Sequence, residues 1–274
     1  MSIALPIAAD PQLTDRVLAA LDAAALREIG HAFVLDLQTM RYGAWCDDVD
    51  VYPASVIKVP IMAEAFRQFA QGTIRPDDPV TVTESNQTTT WGVSPFGAGS
   101  VATVEELVER MVTHSDNVAT NQLMDVLRRE RVTQYMRELG LQTFLLGRKL
   151  SGSEPLIEDL EIVGRNRLPP NEIGALLALI ATDAIPGASK QRQIMKHCVH
   201  AEKLVPGLRH GDVFVHKTGE TSAHSHDAGI LRTAEGKAYV VVLYTQPEPK
   251  PDDSDADHVN PQMIAWMRSL REAL

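Results

Sequence analysis

The chain has 274 residues, 44% hydrophobic and 23% charged, a balance that suits a globular protein with one large core or two lobes. Acidic residues outnumber Lys and Arg by 36 to 26, for a formal net charge of −10. Such a surface repels phosphate backbones, so no nucleic-acid partner is expected. No apolar run approaches the roughly 18–20 residues that cross a bilayer, so no membrane segment is expected.

The first nine residues carry no basic group and only a short apolar stretch before Asp10 and Pro11. They do not read as a secretory leader. A cytoplasmic location is expected, or a periplasmic or secreted one for a chain whose leader has been removed. Residues 12–28 place leucine and alanine at helical spacing, with Gly30 as the expected stop. Residues 31–37 read as a strand and 41–46 as its hairpin partner. Residues 56–70 read as a buried helix with Pro60 in its first turns. Thr103 and Glu106 have the spacing of a capping box, and Val104, Leu107, Val108, Met111 and Val112 mark one face of the helix that follows.

Further helices are expected over 117–129, 132–139, 171–184 and 188–199. Strands are expected over 213–216, 228–231 and 238–245, then an acidic, proline-rich loop over 247–257 and a last helix over 261–273. Strands at both ends with helices between predict an α/β lobe built from residues 1–53 and 204–274. An all-helical lobe over 54–203 is inserted into it, with the active site in the cleft between. Sequence does not say whether Cys46 and Cys198 pair; they read as two buried free thiols, and no Cys/His spacing suggests zinc. His216, His224 and His226 cluster in sequence, but two of them fit the surface of one hairpin, so no metal is assigned.

Three short motifs carry chemistry. In Ser55-Val-Ile-Lys58 the i, i+3 spacing puts an amine within reach of a hydroxyl on one helical face. An adjacent amine of lowered pKa can activate a serine, a weak nucleophile by itself. Ser115-Asp116-Asn117 falls between two helices, where a hydroxyl can relay a proton and an amide can bind a carbonyl. Lys217-Thr218-Gly219 closes the strand over 213–216, and its glycine lets substrate approach the backbone. Each motif alone has a bland reading as a helix cap, a turn or a strand end. Together, in this order, with the second and third starting 60 and 162 residues after Ser55, they are far more specific.

This set resembles that of the class A β-lactamases and penicillin-binding proteins, from about residue 15 to the end of the chain. The resemblance implies an α/β (α+β) fold with a five-stranded antiparallel sheet flanked by helices. It implies that Ser55 forms an acyl-enzyme with an amide or ester carbonyl, with Lys58 as base or relay. Ser115 would pass the proton to the leaving nitrogen, and Asn117 would hold the substrate side chain. Lys217 and Thr218 would bind a substrate carboxylate. The backbone N–H groups of Ser55 and Glu220, the latter next to Gly219, would form the oxyanion hole. No metal or organic cofactor is implied, and the expected partner is a small-molecule or peptide substrate of a monomer.

The pattern breaks twice. Where class A enzymes carry the loop glutamate that activates water, alignment through Leu146 and Arg148 places Leu150. Glu154, Glu158 and Glu161 follow; Glu154, before Pro155, is the best substitute. The stretch from Gly164 to Arg167, leading into Pro169 and Pro170, resembles β-lactamase-like hydrolases without that glutamate. After the third motif, Glu220 sets a carboxylate at the cleft edge, and no arginine follows before Arg232. Anionic β-lactams are therefore expected to bind weakly, unless His224 or His226 compensates when protonated. The leading expectation is a serine hydrolase, either a slow β-lactamase or an esterase or peptidase. The alternative is a penicillin-binding sensor that traps β-lactams, and a pseudoenzyme is a third.

Overall fold

A computed structural model describes residues 6–150 and 165–274. Strand β1 is only Ala8–Ala9, and Asp10 then caps helix α1 (Pro11–Ala23) by accepting from Gln12 N at 2.9 Å. The helix buries Leu13, Val17, Ala20 and Leu21 and ends well short of Gly30. That glycine opens strand β2 (Gly30–Asp36), so it starts a strand instead of stopping a helix. Strand β3 (Arg41–Trp45) is the expected antiparallel partner of β2.

A 3₁₀ turn (Ala54–Ile57) leads into helix α2 (Lys58–Gln71), where Pro60 sits in the first turn and needs no intrahelical N–H partner. Strands β4 (Pro79–Thr81) and β5 (Val101–Thr103) form a small separate sheet that sequence pattern alone did not suggest. Helix α3 (Val104–Thr113) starts with the reciprocal Thr103–Glu106 capping box. Helices α4 (Asn117–Leu127) and α5 (Arg129–Glu138) are separated by Arg128, at φ +66°. Helices α6 (Pro170–Ala181) and α7 (Ala188–Lys196) follow.

Strands β6 (Val213–Thr221), β7 (His224–Arg232) and β8 (Ala238–Thr245) and helix α8 (Asn260–Ala273) complete the chain. Strands β6 and β7 are longer than periodicity predicts, because their polar motif residues continue the ladder from Lys217–Ala228 to Thr221–His224.

The main sheet runs β1-β3-β2-β8-β7-β6. Five strands are antiparallel, as expected; β1 adds a sixth, pairing parallel to β3. All six lie outside residues 54–203. Side chains alternate between the faces with period two. Ala32, Val34, Val241 and Leu243 pack with α1 and α8 on one side. Phe33, Leu35, Val240 and Val242 pack with the remaining helices on the other. Both cysteines are free, but neither is buried as expected: Cys46 is exposed and Cys198 half-buried. No described helix is long and apolar enough to cross a membrane.

Helix α1 lies so close to β3 that a Cβ on Gly43 would come within 2.4 Å of the Leu13 and Thr14 backbone. Backbone cannot step aside as a side-chain tip can. Gly43→Ala should therefore cost about 2 kcal/mol or more in urea-induced unfolding, at the upper end of overpacking penalties.

Candidate active site

Ser55 stands in the 3₁₀ turn before α2. With three residues per turn, positions i and i+3 eclipse, so Lys58 rises directly over Ser55. Its Nζ is 2.9 Å from Ser55 Oγ. The residue before the nucleophile, Ala54, has φ +46°, a left-handed conformation that an alanine holds only when its surroundings enforce it.

Lys58 is fully buried. Besides Ser55 it meets Ser115 O at 2.8 Å, Ser115 Oγ at 3.0 Å and Asn117 Oδ1 at 2.7 Å. Ser115 turns from α3 toward α4 at φ +57°, and Asp116 caps α4 by accepting from Ala119 N at 2.9 Å. From β6, Lys217 Nζ reaches the same Ser115 Oγ at 3.1 Å and donates to Thr218 O at 2.9 Å. Four functional atoms thus form a continuous line: Ser55 Oγ, Lys58 Nζ, Ser115 Oγ and Lys217 Nζ.

Burial, and then the neighbouring Lys217 ammonium, push the Lys58 amine well below the ordinary lysine range; Asp116 and Glu220 oppose this only in part. Two of its contacts, Ser115 O and Asn117 Oδ1, have acceptor capacity only. A neutral amine gives them its two N–H groups and leaves its lone pair for a serine hydroxyl proton. Asn117 also donates through Nδ2 to Thr89 O at 2.9 Å, so in this state its amide orients Lys58.

The third motif lies inside β6, not at a strand end. A Cβ on Gly219 would meet Pro53 O at 2.8 Å and Ser55 N at 3.0 Å. Its glycine is therefore what lets the strand lie against the nucleophile's turn. Thr218 is buried between Lys217 and Gly219.

Glu220 reaches the cleft, as expected, but not as a bare carboxylate. The fully buried Lys203 pairs with it at 2.9 Å, and Asp257 lies 3.8 Å from the same ammonium. Burial pushes the Glu220 carboxyl up, but Lys203, helped by Lys217 and His200, outweighs that and holds it below the usual carboxylate range. The expected repulsion of anionic ligands by Glu220 is thereby largely cancelled. Nor is His226 a reserve cation. Burial pushes its imidazole down to about 3, its Nδ1 accepts from Thr245 N, and its Nε2 lies 2.9 Å from Tyr52 O. Burial, together with Arg165, also lowers His224.

Leu150 is held by its backbone. On α4, one turn beyond Asn117, Asn121 clasps its backbone from both sides: Asn121 Nδ2 donates to Leu150 O and Leu150 N donates to Asn121 Oδ1, each at 2.7 Å. Glu154, Glu158 and Glu161 lie outside the described residues.

The cleft has a volume of about 380 Å³ and is lined by Ser55, Ser115, Asn117 and Glu220. Trp91 and Asp255 also line it, and with Lys203 and Asn121 they are what the motif reading missed. None carries a sequence signature: Trp91, Lys203 and Asp255 are brought in by loops or bends, and Asn121 is an ordinary polar residue of α4. Among the described residues, His200, Glu202 and Glu220 bring potential metal ligands within 4.8 Å of one another. Lys203 already neutralises Glu220 there, which disfavours a cation.

The family model described as the β-lactamase enzyme family matches residues 12–263, and the chain belongs to that family. It is a hydrolase of the β-lactamase type. Similar solved structures include that of PBP-A, with TM-score 0.79, 21% identity and 98% of each chain covered. A leucine-to-glutamate variant of PBP-A, in an acyl-enzyme complex with penicillin G, has TM-score 0.81, 22% identity and 98% coverage of each chain. A β-lactamase from Desulfarculus baarsii DSM 2075 has TM-score 0.79 and 23% identity, over 94% of this chain and 96% of its own. No curated protein matches the chain.

The Lys203–Glu220 pair yields a stability test. Because the Glu220 carboxyl is depressed, its contribution is present above the ordinary carboxylate pKa and is lost as pH falls through the lower folded value. Lys203→Met should cost about 1–3 kcal/mol at pH 7, since it strands a partly buried carboxylate. The deficit should shrink toward pH 4 as the stranded acid takes up a proton. Urea titrations of both proteins at several pH values measure this.

Proposed function

We propose that this protein is a serine hydrolase whose Ser55 forms an acyl-enzyme with β-lactam, amide or ester carbonyls. The observation that carries the reading is the fully buried Lys58, 2.9 Å from Ser55 Oγ and 3.0 Å from Ser115 Oγ, with its amine biased to the free base. Lys58 takes the Ser55 proton as Oγ attacks the carbonyl carbon. The N–H groups of Ser55 and Glu220 receive the oxyanion, each contributing a few kcal/mol. Ser115 then delivers a proton to the leaving nitrogen and is resupplied through the lysines on either side. Lys217 and Thr218 hold the substrate carboxylate, and Asn117 holds its acyl amide after releasing Thr89.

Leu150 favours a second reading for the later step. A leucine cannot activate water, so the acyl-enzyme is long-lived and the protein traps β-lactams unless Glu154 acts from its own segment. The acyl-enzyme that a PBP-A variant forms with penicillin G supports the first half of this sequence.

Intact-mass measurements with benzylpenicillin and a chromogenic cephalosporin test both halves. A one-acyl mass increase lasting many minutes is expected, and Ser55→Ala should show none. Rapid turnover far beyond one equivalent would instead point to Glu154 as the water-activating group. Acylation should accelerate as pH rises through a limb below the ordinary lysine range, because deprotonation of Lys58 creates the base. Leu150→Glu should speed deacylation about 10²-fold, the low end of general-base contributions.

A further inference from the structure

Lys58, Lys203 and Lys217 are all buried beneath the cleft walls. Among the described residues, the charged side chains lining the cleft itself are carboxylates, Glu220 and Asp255. Lys203 neutralises Glu220. Asp255 has no basic partner among the described residues; its carboxylate meets only Ser254 Oγ, at 3.1 Å.

Asp255 does not hang on a loose loop. Asp253 accepts from Asp257 N and His258 N, each at 2.9 Å, and its carboxylate lies 2.6 Å from His258 Nδ1. Asp257 is drawn toward Lys203. Trp91 lines the same cleft, and its indole is 61% exposed. It meets His200 with ring centroids 4.8 Å apart, and His200 in turn reaches His114 O, beside Ser115. Both features therefore border the side of the cleft where Ser115 and Lys217 meet the leaving group. An unpaired carboxylate and an open indole suit the same ligand chemistry, an organic cation.

We propose that Asp255 and Trp91 form a cation subsite on the leaving-group side of the cleft. This rests on the Ser55 acyl-enzyme reading and narrows it to a substrate class. The preferred substrates carry a carboxylate for Lys217 and an ammonium or other organic cation on the leaving portion. Neutral or anionic groups at that position are disfavoured. The acidic surface as a whole also draws cations toward the cleft.

Three cephalosporins that share one 7-acyl group test this charge by charge: ceftriaxone is anionic at C3′, cefotaxime neutral and cefepime a quaternary ammonium. The second-order rate of Ser55 acylation is read by intact mass at low ionic strength. Each rate is divided by that compound's own rate with hydroxide, which removes intrinsic reactivity. The normalised rate for cefepime should exceed that for cefotaxime by about 3- to 30-fold, as expected for one exposed ion pair plus a cation–π contact. Ceftriaxone should be slowest. Asp255→Asn should bring the cefepime-to-cefotaxime ratio to within about twofold, Asp255→Glu should keep it, and Trp91→Leu and added salt should each reduce it. A wild-type ratio near one, or a ratio that survives Asp255→Asn while all three compounds acylate, overturns the subsite. If none of the three acylates Ser55, the acyl-enzyme reading fails and the subsite assignment falls with it.

Discussion

Two buried lysines share one serine hydroxyl, and the rest of the site is organised around that. Ser115 Oγ lies 3.0 Å from Lys58 and 3.1 Å from Lys217, with both side chains out of water. Keeping two ammonium groups charged at such spacing in a low-dielectric setting is costly, and burial with the neighbouring Lys217 pushes the Lys58 amine well below the ordinary lysine range. Lys58 is the one whose surroundings make the free amine useful. Two acceptors take its N–H groups and a nucleophile faces its lone pair. The proposed general base needs no histidine, since burial and like charge lower this amine. The left-handed backbone at Ala54 and Ser115 and the bare Cα of Gly219 are the geometric conditions for bringing these four atoms into line.

A second layer of charge surrounds the first. Lys203 cancels Glu220, which would otherwise set a bare carboxylate in the cleft. Among the described residues, Asp255 is left as an uncompensated negative charge lining the cleft. Leu150 sits outside this electrostatic layer. It is locked in place by a backbone clasp but brings nothing ionisable to the acyl group.

Periodic patterns made most of the fold legible. The capping box at Thr103 and the apolar face of α3 correspond closely to the structure. Strand β8, uniformly apolar because both its faces are covered, stood out as well. The pattern failed where polar function interrupts hydrophobic rhythm. Strands β6 and β7 run on through Lys217, Thr218, Asp227 and His226, whose polarity disguised their ends. Gly30 looked like a helix stop because a glycine signals a backbone constraint without saying which one. At the site, Ser55, Lys58, Ser115, Asn117 and Lys217 were legible because sequence spacing fixes their geometry. Lys203, Asp255 and Trp91 were not, since only tertiary folding brings their segments to the cleft. Glu220 was found, but its charge could not be judged without the partner that neutralises it.

The pairing of β2 with β8 has a consequence for how the chain reaches its native state. Gly30 lies opposite Thr245, so the centre of the main sheet joins strands separated by nearly the whole chain. The intervening helices draw on contacts much nearer in sequence and can organise first, whereas the sheet must wait for its last strands and bear a large loop-closure entropy. During synthesis, α1, β2 and β3 leave the ribosome with apolar surfaces whose covering elements, β8 and α8, are not yet made. The exposed hairpin is the part of the nascent protein most open to aggregation. The Ser55 turn then gains its last neighbour only when β6, the edge strand of the late-forming sheet, settles against it.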